Sequence, residues 1–143
     1  MLKTKILHPD LLYSLARMGH GSQILIADGN FPFETESPAT AHKVFLNLTP
    51  GIVNVTDVLK VLADSIEIED ATFMATPDDN QHPVYDEFKM LLPESVSISK
   101  LKRFDFYHKV KSPKTALVIA TGETRRFANL LLTVGVVSGN SGD

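Results

Sequence analysis

The chain has 143 residues, 43% of them hydrophobic and 22% charged, which is the size and composition of one globular domain with its own core. Fourteen Lys plus Arg against seventeen Asp plus Glu give a net charge of −3, which argues against a nucleic-acid-binding face. No apolar run approaches the roughly 20 residues that span a bilayer. The N-terminus has no signal-peptide stretch, and zero cysteines exclude disulfides, thiol nucleophiles and thiolate-held metals, so a cytoplasmic protein is expected.

The first predicted element is a helix: Leu11, Leu12, Leu15 and Met18 recur at helical spacing, Pro9 suits a first turn and Gly19 supplies a stop. His8 is a poor cap for it. Gln23 to Asp28 reads as a short buried strand closed by turn residues. Residues 29–51 carry Pro32, Pro38 and Pro50 and are mostly loop, with a short apolar patch at Val44 to Leu48. Val55, Val58, Leu59 and Leu62 form a second helical face behind the cap candidate Asn54. Alternation within 66–75 predicts a strand, and Pro77 to Asn80 a turn. Val84, Phe88 and Leu91 predict a third helix from about Pro83, and Val96 and Ile98 a short strand. Residues 102–111 are the most aromatic and basic part of the chain, and Phe104 and Phe106 are read there as core. Thr115 to Ala120 and Leu130 to Val137 are buried strands, and the tail 138–143 lacks core-forming residues and should be mobile. Helices alternating with apolar strands give an α/β fold: one domain over residues 1–137, with a central sheet covered on both faces.

Three groups of residues carry candidate chemistry. His20 lies between two glycines, and Asp28 ends the first strand, at the edge where α/β sheets bind ligands. An imidazole beside a carboxylate moves protons near neutral pH. The plainer alternative makes His20 a helix-end residue and Asp28 a turn residue. Arg103 and Tyr107 combine guanidinium donors with an aromatic face, a pairing suited to sugars. Asn129, at the start of the last strand, offers an amide to a hydroxyl. Neither Walker nor dinucleotide fingerprints occur, and the other histidines show no metal-ligand spacing.

Four blocks occur in order: Met18-Gly19-His20-Gly21, Ala27-Asp28-Gly29-Asn30-Phe31-Pro32, Arg103-Phe104-Asp105-Phe106-Tyr107, and Thr121-Gly122-Glu123 leading to Asn129. In these the chain resembles the fucose mutarotase and ribose pyranase family of small sugar anomerases, from about Leu7 to Gly135. The resemblance implies interconversion of α and β anomers, or of pyranose and furanose rings, with no metal or organic cofactor. It implies a compact three-layer sandwich assembled as a homo-oligomer, commonly a decamer of stacked pentamers, with sites near subunit interfaces. His20 would be the catalytic acid, and Asp28, Arg103, Tyr107 and Asn129 would contact the monosaccharide. Arg103 followed by Phe-x-Phe-Tyr resembles the L-fucose branch, because D-ribose pyranases place a His at the position matching Arg103. Two departures stand out. Phe127 occupies a position where the family usually has Tyr, so its ring can pack on the sugar without a hydroxyl contact. His108-Lys109 stands where fucose-branch sequences often read Glu-Arg. The competing readings are a monosaccharide-binding protein that does not turn over, and an assembly subunit whose aromatics form an interface.

Overall fold

A computed structural model of the chain describes residues 1–79 and 81–139. Its first helix, α1 (Pro9–Arg17), starts on the proline whose fixed φ suits a first turn. It ends before Met18, where the backbone turns extended, one residue earlier than the glycine stop suggests. His8 makes no side-chain cap, as expected. In α2 (Val55–Ala63) the Asn54 amide N–H donates to the Asp57 carboxylate at 2.8 Å, satisfying a donor that a helix start otherwise leaves open. Val55, Val58, Leu59 and Leu62 form its buried stripe. In α3 (Pro83–Leu91) the ring of His82 accepts from the Val84 amide at 3.2 Å. The last helix is α4 (Arg103–Val110).

Six strands form one sheet: β1 (Gln23–Ala27), β2 (His42–Phe45), β3 (Ile68–Met74), β4 (Ser97–Leu101), β5 (Thr115–Ala120) and β6 (Leu130–Val134). Three boundaries differ from the expectation. β2 starts two residues before the predicted Val44–Leu48 patch and ends within it at Phe45, β4 begins after Val96, and β6 stops at Val134, leaving Val136 and Val137 exposed. Only Ser138 and Gly139 of the predicted tail are described, both exposed; residues 140–143 lie outside the described residues. Among the described residues no helix is long and apolar enough to cross a membrane.

The strand order is β2-β5-β1-β6-β3-β4. β1, β2 and β5 pair parallel, β3 and β4 pair parallel, and β6 runs antiparallel to both β1 and β3. Five strands therefore point one way, and their carboxyl ends share one edge with the amino end of β6. Side chains alternate between the two faces of this sheet. Ile24, Ile26, Phe73, Leu117 and Ile119 pack with α1, α2 and α3, whereas Leu25, Met74, Val118 and Leu131 pack with Phe106, Tyr107 and Val110 of α4. This is the expected sandwich with a central sheet.

One core assignment fails. Phe106 is fully buried, worth roughly 1.5–3 kcal/mol for a side chain of its size. Phe104 is 74% exposed. Residues two apart on a helix face opposite sides, so α4 can bury only one of the two phenylalanines.

Candidate functional site

The common edge gathers Asp28 from the end of β1, Met74 from the end of β3, Arg103 just after β4, the 121–127 loop after β5, and Asn129 just before β6. Asp28, Asn30, Phe31, Met74, Arg103, Tyr107, Arg126, Phe127 and Asn129 enclose a cavity of about 280 Å³ there. Drug-sized ligands occupy about 300–1,000 Å³, so this space suits one small polar molecule.

Asp28 and Asn129 lock together across the β1–β6 pair. The Asp28 amide donates to Asn129 Oδ1 at 2.8 Å, and Asn129 Nδ2 donates back to Asp28 Oδ2 at 2.9 Å. The other carboxylate oxygen accepts the Asn30 amide at 2.9 Å. Both side chains are almost fully buried. Burial pushes the Asp28 carboxyl above its usual value, while hydrogen bonds from the Asn30, Ala128 and Phe31 backbones and from Asn129 pull it the other way and offset part of the rise. The second Asn129 N–H points to the Met74 sulfur at 3.6 Å. Asn129 is thus a clamp on Asp28, and it also lines the cavity, with one Oδ1 lone pair still open. Asp28 keeps acceptor capacity, since a carboxylate offers about four lone-pair sites.

The opposite wall comes from α4. Arg103 Nε donates to the Tyr107 hydroxyl oxygen at 3.0 Å, one helical turn on, which leaves the phenolic proton free to donate. Phe31 packs edge-on against Tyr107 with ring centroids 5.3 Å apart. The cavity is closed by Phe127, whose φ of 62° lies in the left-handed region, at about 1–2 kcal/mol for a residue with a side chain. Beside it, the Arg126 guanidinium sits 5.6 Å from the Phe127 ring centroid. Arg126 and Met74 are lining residues that the sequence reading missed. Arg126 was in view as part of the polar loop, but nothing there separates it from Arg125. Arg125 instead forks onto the buried Glu123, at 3.0 and 2.9 Å, and reaches Glu87 at 2.5 Å. Burial alone would push the Glu123 carboxyl up; hydrogen bonds and charge from Arg125 outweigh that and hold it below its usual value.

His20 is elsewhere. It precedes β1, at the opposite edge of the sheet, where the Gly21 amide donates to Val134 O at 2.9 Å. Its partner is Glu69, with Nε2 and Oε2 2.8 Å apart, and the imidazole is 58% exposed. The expected His20–Asp28 pair therefore does not form within one protomer. The strand between them rises about 3.3 Å per residue and keeps them at least about 13 Å apart. The structure brings Asp28, Arg103, Tyr107, Phe127 and Asn129 together, and not His20.

The sequence pattern of the RbsD / FucU transport protein family matches residues 1–137. The fucose mutarotase of Homo sapiens is 35% identical over 145 residues, covering 94% of this chain and 92% of that protein. The D-ribose pyranase of Variovorax paradoxus is also 35% identical, over 141 residues, covering 95% and 98%. Among solved structures, RbsD of Bacillus subtilis complexed with D-ribose superposes with a TM-score of 0.84 at 29% identity, covering 96% of this chain and all of that one (100%).

Proposed function

The chain belongs to the RbsD / FucU transport protein family, and from that premise we propose that it is a monosaccharide mutarotase that opens and recloses a cyclic hemiacetal. The observation that carries the reading is the cavity in which a clamped, buried carboxylate faces a phenol with a free proton. Ring opening requires a proton on the ring oxygen and removal of one from the anomeric hydroxyl. The bond from C1 to the ring oxygen breaks, the free aldehyde turns about the bond from C1 to C2, and the ring oxygen attacks its other face. No carbon-bound hydrogen moves. Because water does this slowly unaided, one positioned acid–base group adding about 10²–10⁴-fold is sufficient.

Asp28 accepts from sugar hydroxyls and fixes the ring. Arg103 and Tyr107 donate to sugar oxygens, and the Phe127 ring covers an apolar face. His20 exchanges the proton, and it reaches the cavity from a second copy of the chain. That assignment draws on the ring assembly and interface sites that the resemblance implies, and on the separation of His20 from its own protomer's cavity. Glu69 would hold the imidazole in a fixed orientation. The reading includes a homo-oligomer, a decamer by resemblance, in the cytoplasm.

For the sugar, the run from Arg103 to Tyr107 supports L-fucose. D-ribose stands beside it, since a D-ribose pyranase and a fucose mutarotase match at the same identity. NMR exchange spectroscopy on equilibrated L-fucose and D-ribose tests the reading. Faster interconversion of either sugar's anomers with micromolar protein is expected, with at least a hundredfold loss in His20→Ala. A folded His20→Ala protein at full rate would overturn the role of His20, and a light-scattering mass near that of a monomer would overturn its supply by a second copy.

A further inference from the structure

Arg126 adds to the cavity a second guanidinium beside Arg103, which the proposed function already uses. Arg103 and Arg126 line it from different elements, the first residue of α4 and the loop before β6. Among the described residues neither forms an ion pair. Arg125, the immediate neighbour of Arg126, shows the contrast: its guanidinium is taken by Glu123 and Glu87. The two cavity arginines are held by aromatic rings instead. Arg103 lies 5.4 Å from the Tyr107 centroid and 5.3 Å from that of Phe104, and Arg126 rests on Phe127. A guanidinium attracted to a ring face, with no carboxylate paired to it, keeps its outer N–H groups for a ligand.

The rest of the lining agrees. Asp28 is the one carboxylate that this chain contributes to its own lining, and its oxygens already accept from Asn30 and Asn129. Arg103 opens α4, so the positive end of that helix adds to the same field. At Phe127 the ring supports a cation and offers no hydroxyl to a neutral sugar.

We propose that the cavity selects a monosaccharide bearing an anionic group remote from its anomeric carbon, received jointly by Arg103 and Arg126. This rests on the anomerase reading and narrows its substrate. A hexuronate suits the small cavity best, because a planar carboxylate matches the guanidinium fork; a sugar phosphate presents the same charge on a larger group.

The test compares three sugars of one ring stereochemistry, D-galactose, D-galacturonate and D-galactose 6-phosphate, by anomer exchange NMR. A charge-assisted contact raises kcat/KM about tenfold over D-galactose, chiefly through KM because the anion lies away from the reacting atoms. That preference shrinks with added salt, since Arg103 and Arg126 are both exposed residues. Arg126→Gln brings the ratio of the favoured anion to D-galactose to within about twofold. Preference for D-galacturonate marks a uronate site, and preference for D-galactose 6-phosphate marks a phosphate site. Equal rates for all three sugars, or a ratio that Arg126→Gln leaves unchanged in a folded protein, overturn the proposal. If none of the three is accelerated, exchange of L-fucose and D-ribose in the same assay decides the anomerase reading, and saturation-transfer competition decides the anion site. Displacement of D-galactose by D-galacturonate then sustains the anion site, and absence of displacement overturns it.

Discussion

Asn129→Ala is the sharpest test of the clamp on Asp28. It deletes the acceptor of the Asp28 amide and the donor to Oδ2, bonds of 2.8 and 2.9 Å between groups nearly inaccessible to water. An orphaned buried N–H costs about 1–3 kcal/mol, and a lost bond to a charged oxygen about 1.5–3 kcal/mol. Together these predict a loss of about 3–5 kcal/mol in unfolding free energy, read from urea denaturation. Anomer exchange should slow roughly tenfold or more, because the carboxylate no longer has one orientation. Asn129→Asp refines the test. It keeps an acceptor for the Asp28 amide but sets a second oxygen against Oδ2, so one of the two carboxyls must hold a proton. Its stability should therefore recover toward low pH, where Asn129→Ala does not recover. A loss under about 1 kcal/mol in Asn129→Ala, with native exchange, would refute the clamp.

Three further outcomes follow from the surrounding loops. Glu123 has a folded pKa below its ordinary 4.5, so its contribution to stability is present above pH 4.5 and lost as pH falls through the folded value. The stability gap between the native protein and Glu123→Gln should accordingly close on acidification in urea titrations, and a gap that widened would contradict the Arg125 pairing. Gly122→Ala would drive a methyl against the Thr49 carbonyl oxygen and to 2.7 Å from that of Ile52. Both are backbone atoms, so about 3 kcal/mol of destabilisation is expected, seen as a lower melting temperature. Phe127→Tyr adds a hydroxyl to the cavity lining and should raise kcat/KM for a neutral monosaccharide about tenfold in the exchange assay. No gain would mean that the cavity has no sugar oxygen at that point.

Much of the architecture was legible because local signals agreed. α2 combines a capping residue with a four-residue apolar stripe, and β1 and β5 are apolar runs bounded by turn residues. Asp28 was legible as a residue of the cavity edge because strand ends in α/β sheets gather ligands. What failed depends on distant partners. His20 and Asp28 are close in sequence, yet an intervening strand sends them to opposite edges. Phe104 looks like core by composition, and only the docking of α4 through Phe106 turns it outward. Arg125 and Arg126 are identical neighbours with different fates. The backbone reversal at Phe127 and the position of Glu87, 38 residues from Arg125, separate them. Neither is visible as periodicity.

The position of β6 has a consequence for how the chain acquires its structure. It is the last of the six sheet strands in chain order, yet it lies in the middle of the sheet, between β1 and β3. Before it is added, the chain can form only two separate ribbons, β2-β5-β1 and β3-β4, each with an unsatisfied inner edge. Emergence from the ribosome therefore cannot yield a finished sheet until residues 130–134 are free, and the two ribbons are joined late, through long-range pairing. Asn129 precedes that strand directly, so closing the sheet and fastening Asp28 are one event. A half-assembled chain carries no competent binding edge.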